Sequence, residues 1–121
     1  MDTIAQKLWV QDIGQMVSFY KEYLGAEVLD QHETFACLAV EDTVVEFYHG
    51  SPGTMHLTLQ FNDFDTLSER ATLARNHIVS QIKSRSTGNQ TTYSTVLKDC
   101  EGNRITLIFH QMYVSEYVDV E

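Results

Sequence analysis

The sequence is short of the residues that break or staple a chain, with one proline, six glycines and two cysteines in 121 residues. So few breakers exclude a low-complexity or Pro/Gly-rich disordered chain. Cys37 and Cys100 stand far apart with no CxxC spacing, and are expected to stay reduced as packing or surface residues, neither disulfide nor nucleophile. Cations are scarce as well. Eight Lys and Arg against 17 Asp and Glu leave a formal charge of −9, with no run of neighbouring basic residues. A chain this acidic repels phosphate backbones and anionic lipid, so neither nucleic acid nor membrane is an expected partner. No apolar run approaches the roughly 18 residues of a membrane span. The opening MDTIAQKLWVQD lacks the basic start and apolar core of a signal peptide. Walker and GxGxxG loops are missing, and no nucleophile motif surrounds any serine, so phosphate and nucleotide cofactors have no support. These absences point to a soluble, cytoplasmic globular protein, and the length to one domain spanning residues 1–121.

What is present is a clear change of hydrophobic period along the chain. Residues 4–10 alternate, placing Gln6, Leu8 and Val10 on one side and Ala5, Lys7 and Trp9 on the other, as in a strand. Asp12 and Gln15 then form a capping-box pair ahead of Ile13, Met16, Val17, Tyr20 and Leu24 at helical spacing, and Gly25 supplies a C-terminal stop. Strands are predicted at 27–31, 35–40 and 43–48, with Glu41 and Asp42 as a tight turn. After SPG at 51–53 the order repeats: a strand at 56–61, a helix capped by Asp63 or Asp65 carrying Phe64, Leu67, Ala71, Ala74 and Ile78, then strands at 79–84, 92–97 and 104–109. The polar stretch 85–90 and the turn 99–103 separate these last strands. The chain therefore reads as α+β, two tandem β-α-β-β-β units at about 1–50 and 54–109 followed by a tail at 110–121.

Each alternation has one nearly pure apolar row, which identifies the face that helices cover. Val45, Phe47, Leu57, Leu59, Phe61, Ile105, Leu107 and Phe109 belong to it. The opposite rows are mixed: Ala5, Lys7 and Trp9; Val44, Glu46 and Tyr48; His56, Thr58 and Gln60; Arg104, Thr106 and Ile108. A half-polar second face predicts a curled, mixed eight-stranded sheet with helices on its convex side and a ligand pocket on its concave side.

Two motifs carry a family resemblance. VQDIGQMVSFYKEYLGAEVL, at residues 10–29, resembles the opening motif of the vicinal oxygen chelate superfamily, which includes glyoxalase I, bleomycin resistance proteins and extradiol dioxygenases. KDCEGNRITLI, at 98–108, is similar to that family's closing turn and last strand. The resemblance implies four metal-ligand positions on the concave face, which fall here on Ala5, Glu46, His56 and Thr106. Ala5 has no donor atom and a threonine hydroxyl is a poor ligand, whereas catalytic sites ordinarily use three protein ligands. Gln6, adjacent to the empty first position, points to the other face of its strand.

Glu46 and His56 thus admit three roles. They form a hydrogen-bonded pair on the cavity wall, act together in metal-free acid-base catalysis, or hold Zn, Ni, Mn or Fe with a ligand from elsewhere. Trp9 is placed to stack on a planar ligand or to fill a narrow pocket. Lys7 meets an anionic ligand or pairs with Glu46. Tyr48, Thr58, Gln60, Arg104 and Thr106 complete the candidate wall. His32, His49, His77 and His110 are expected as exposed residues at element ends. In the tail, Met112, Tyr113, Val114, Tyr117 and Val118 predict packing on a sheet edge or a neighbour, and the resemblance implies a homodimer.

Two functional readings follow. The first is a protein that binds a small organic molecule without a complete metal site and with no cofactor, as bleomycin resistance proteins do. The alternative is a metal-dependent, glyoxalase I-like lyase using Glu46 and His56. A pure interaction domain working through its acidic surface is a third class.

Overall fold

The computed structural model describes residues 5–51, 53 and 55–113. The first unit runs β1 (Gln6–Val10), α1 (Ile13–Leu24), β2 (Glu27–Gln31), β3 (Phe35–Val40) and β4 (Thr43–His49). The second runs β5 (His56–Gln60), α2 (Phe64–Leu73), β6 (Ile78–Thr87), β7 (Gln90–Lys98) and β8 (Arg104–Met112). Helix α1 starts where the Asp12 carboxylate accepts the Gln15 N–H at 3.0 Å, and α2 where Asp63 accepts from Thr66 at 2.7 Å. Gly25 ends α1 with φ at 67°, the left-handed conformation glycine adopts without strain. A β-carbon there would also stand 2.5 Å from the Arg70 guanidinium of α2, so any side chain at this position displaces that arginine.

Three boundaries in the second unit differ from the sequence reading. Helix α2 stops at Leu73, and Arg75–His77 form a 3-10 turn, so Ile78 opens β6 instead of extending the helix. Asn76 and His77 are weak helix formers, and the β-branched pair that follows favours a strand. Residues 85–90 are not a loop. β6 and β7 continue through them to a two-residue turn at Gly88 and Asn89, where Thr87 pairs with Gln90 and Gly88 takes φ 61°. Polarity imitated a loop, but Arg85, Ser86 and Thr87 are exposed residues of an edge strand. Finally, β8 extends three residues beyond Phe109, with Met112 opposite Gln90, and the Tyr113 N–H donates to the Asn89 carbonyl at 2.8 Å. Val114, Tyr117 and Val118 lie outside the described residues.

The strands hydrogen-bond as two four-stranded sheets, ordered β1-β4-β3-β2 and β5-β8-β7-β6, each with one parallel pair (β1 with β4, β5 with β8). The Gln6 side chain bridges them. Its amide donates to the Thr58 carbonyl at 2.6 Å, and its oxygen accepts the Thr58 N–H at 3.2 Å, standing in for a peptide group between β1 and β5. One buried cluster joins both units: Leu8, Val10, Val45 and Phe47, Leu57, Leu59, Ile105 and Leu107, with Met16, Tyr20 and Leu24 of α1 and Leu67 of α2. The predicted apolar row is therefore the row beneath the helices.

The closing turn locks the units together. Asp99 is buried and accepts from the N–H groups of Glu101 and Asn103, from the Asn103 amide, and from the Tyr20 hydroxyl of α1 at 2.9 Å. Burial, followed by the Asp99 charge, raises the Tyr20 hydroxyl well above its ordinary range. Glu101 reaches to the start of α1, accepting from the N–H groups of Gln11 and Asp12 at 2.8 Å.

Candidate functional site

The rows facing away from the helices remain open. Lys7, Trp9, His56, Thr58, Gln60 and Arg104 are exposed, and Glu46, Tyr48, Thr106 and Ile108 half-buried. Strand register puts them in lateral order: Lys7 beside Glu46 and Trp9 beside Tyr48 in the first sheet, His56 beside Arg104 and Thr58 beside Thr106 in the second.

On the first sheet this row is aromatic. Trp9 is 53% exposed, unusual for a residue of its size, and its ring centroid lies 5.6 Å from that of Tyr48. Tyr48 in turn meets Phe35 of β3 edge-on at 5.2 Å. Gly50 makes room for this arrangement, because a β-carbon there would stand 2.9 Å from the indole. The Tyr48 hydroxyl donates to Glu46 at 2.7 Å, and that bond is the main cause of its raised pKa, ahead of desolvation. Cys37, the register neighbour of Glu46, has its thiol pushed up by burial and then by the Glu46 and Asp30 charges.

On the second sheet the row is a set of polar bonds. His56 Nε2 and the Thr106 hydroxyl are 2.7 Å apart, and His110 Nδ1 lies 2.9 Å from the Thr92 hydroxyl and 3.2 Å from the Gln90 amide.

The expected His56–Glu46 hydrogen bond is not formed, since each side chain is engaged within its own sheet. Lys7 and Glu46 are register neighbours without an ion pair; the ion pair present among the described residues is His32 with Asp30 at 3.1 Å. The four positions that the resemblance assigns to metal ligands bring two donors, Glu46 and His56, which have other partners. No group of three or more His, Cys, Asp or Glu side chains assembles into a metal site among the described residues. Among the described residues of one chain, the four positions thus supply two of the three ligands that a catalytic metal centre ordinarily uses.

Phe35, Gln90 and His110 were missed in the sequence. Phe35 stands at a strand start, where alternation gives no face, and His110 fell beyond the assumed end of the last strand. His77 is not a free end residue but packs on Phe19 and Tyr23 at 5.0 and 4.8 Å. Cys37 and Cys100 are both free. No helix among the described residues is long and apolar enough to cross a membrane.

A family model described as the Glyoxalase/Bleomycin resistance protein/Dioxygenase superfamily matches residues 1–107. Curated proteins give no significant match. Among solved structures, TioX from Micromonospora sp. ML1 has a TM-score of 0.73 at 15% identity, covering 94% of this chain and 100% of that one. A glyoxalase/bleomycin resistance protein/dioxygenase from Alicyclobacillus acidocaldarius gives 0.70 at 15%, covering 96% and 94%. A lactoylglutathione lyase from Agrobacterium tumefaciens gives 0.67 at 16%, covering 90% and 94%. At these identities the structural likeness concerns the fold alone.

Proposed function

The chain belongs to the glyoxalase/bleomycin resistance protein/dioxygenase superfamily, and from that footing we propose that it binds a small organic molecule against the open rows of its sheets, in the cytoplasm and as a homodimer. The observation that carries this reading is Trp9, half exposed and set beside Tyr48, the two rings tilted at 48°, on a face no helix covers. An indole held open on a rigid strand offers a planar ligand apolar area and a stacking partner at little conformational cost. Tyr48, Glu46, Thr58, Gln60, Arg104 and Thr106 then supply the polar contacts that orient the ligand. Met112 and Tyr113, 58% and 47% exposed at the end of β8, are the apolar surface assigned to the dimer contact.

The rival is a metal-dependent lyase, favoured by Glu46 and His56 at two of the positions that the resemblance assigns to metal ligands. Metal analysis of untagged protein purified without chelator separates the two. The binding reading expects well under one divalent metal per chain, and quenching of Trp9 fluorescence by a neutral planar probe such as 2-naphthol that is weakened in Trp9→Ala. Stoichiometric zinc, nickel, manganese or iron that is lost in His56→Ala establishes the lyase reading instead. Sedimentation at micromolar concentration is expected to give a dimer, and a monomer contradicts that part of the proposal.

A further inference from the structure

The acidic character of the chain is unevenly distributed. Strands β1–β4 carry Lys7 against Glu27, Asp30 and Glu46, whereas β5–β8 carry Lys83, Arg85, Lys98 and Arg104 and no carboxylate. Those four are half of the eight Lys and Arg in the chain. Register places all of them on one face. Lys83 pairs with Ser94, Arg85 with Thr92, and Lys98 with Arg104, and positions 92, 94 and 98 share the side of β7 opposite buried Thr91, Thr95 and Leu97. The four are exposed on the face away from the helices.

None has a carboxylate within ion-pair distance among the described residues. The acids nearest in sequence, Asp99 and Glu101, are spent on the closing turn and the start of α1. Lys98 directly opposite Arg104 is a like-charge cross-strand pair, an arrangement that destabilises a sheet. In a protein with 17 carboxylates, four exposed cations gathered on one face without an ion-pair partner among the described residues leave that face open to an anion. The strip along β6 and β7 also has the shape for one, an open groove of about 580 Å3 lined by Lys83, Ser84, Arg85, Thr87, Thr92 and Ser94. Ammonium, guanidinium and hydroxyl groups are the donors that carboxylate and phosphate oxygens take up.

We propose that the open face of the second sheet, centred on the Lys83–Arg85 groove, binds the anionic group, carboxylate or phosphate, of a small organic acid. This deepens the ligand-face reading and rests on it, but anion binding is measured separately from any response of Trp9, so either can fail alone. Calorimetric titration of the full-length chain with citrate and with pyrophosphate tests it, with spermidine as the cationic control. Saturable binding of at least one anion is expected, with none of spermidine. The arm that binds more tightly identifies carboxylate or phosphate. Each charged hydrogen bond lost contributes about tenfold in affinity, so Lys83→Gln/Arg85→Gln, which removes two cations, is expected to weaken binding by about a hundredfold while Lys21→Gln on α1 leaves it unchanged.

Binding unaffected by the double substitution overturns the proposal. If that variant instead self-associates with anion affinity intact, the two cations guard the exposed edge of β6. The acidic residues Glu116, Asp119 and Glu121 follow β8 in sequence, so Glu116→Gln/Asp119→Asn/Glu121→Gln is titrated in parallel. Anion binding that emerges only in that variant assigns the groove to the chain's own tail and overturns the proposal as well.

Discussion

The two units share an element order and differ in the row each presents away from the helices. Beneath the helices they are interchangeable in kind: Leu8, Val10, Val45 and Phe47 in the first, Leu57, Leu59, Ile105 and Leu107 in the second, all buried in one cluster. On the open face, the first sheet carries Trp9, Tyr48 and Phe35 around Glu46, and the second carries His56, Thr106, His110 and four cations. Packing constrains a buried row to fill volume with hydrocarbon, so repeated units converge there. An open row has no such constraint and is free to diverge toward recognition. The chemical difference between the halves is therefore written in the alternate residues of the same strands.

This comparison is sharpest between neighbours in one strand. Leu107→Ala removes a fully buried side chain and is expected to destabilise the fold by about 2–5 kcal/mol, whereas Thr106→Ala, on the open row next to it, is expected to change stability by no more than about 1 kcal/mol. Chemical denaturation of both variants checks this, and equal losses would break the division into packing and recognition rows. A smaller effect is expected at the joint between units. Tyr20→Phe deletes the hydroxyl bonded to Asp99 but leaves that carboxylate its turn partners, so about 1–2 kcal/mol should be lost with one cooperative transition retained. Two separated transitions would show that the units fold independently.

The smallest expected effect is chemical. Burial and the Asp99 charge push the Cys100 thiol up to about 11, so its reaction with a thiol-specific disulfide reagent should be slow at pH 8 and climb about tenfold per pH unit toward that value. A plateau near pH 9 would contradict the hold of desolvation and the Asp99 charge on this thiol.

Most of the first unit is legible in the sequence because its signals are strong: Asp12 and Gly25 bracket α1, and apolar alternation marks β3 and β4. The second unit is less so, for a physical reason. Residues 83–89 are exposed in both rows, so no apolar period marks the far end of β6, and only the Gly88-Asn89 turn betrays where the hairpin reverses. Reading 85–90 as a loop removed Arg85 from any face. The cationic row then vanished, because Lys83, Arg85, Lys98 and Arg104 become neighbours only through register. At the candidate site, the open rows were correctly separated from the buried ones, but side-chain partners were not readable. Nothing in the spacing tells that His56 turns to Thr106, or Glu46 to Tyr48, instead of to each other. Gln6 was rightly kept off the open face, yet its bridging of β1 and β5 depends on the approach of two units that no local pattern encodes.

The two open faces are expected to recognise different chemistry, a planar group on the first sheet and an anionic group on the second. Residue-resolved NMR shift mapping of the full-length chain, titrated in parallel with 2-naphthol and with citrate or pyrophosphate, tests it most directly. 2-Naphthol is expected to move the Trp9 indole N–H and the amides of Tyr48 and Phe35, and the anion to move Lys83, Arg85, Thr92 and Ser94. Both probes shifting the same residues, or both gathering at the cleft beside the start of α1 lined by Gln11, Asp12, His32 and His49, would contradict it.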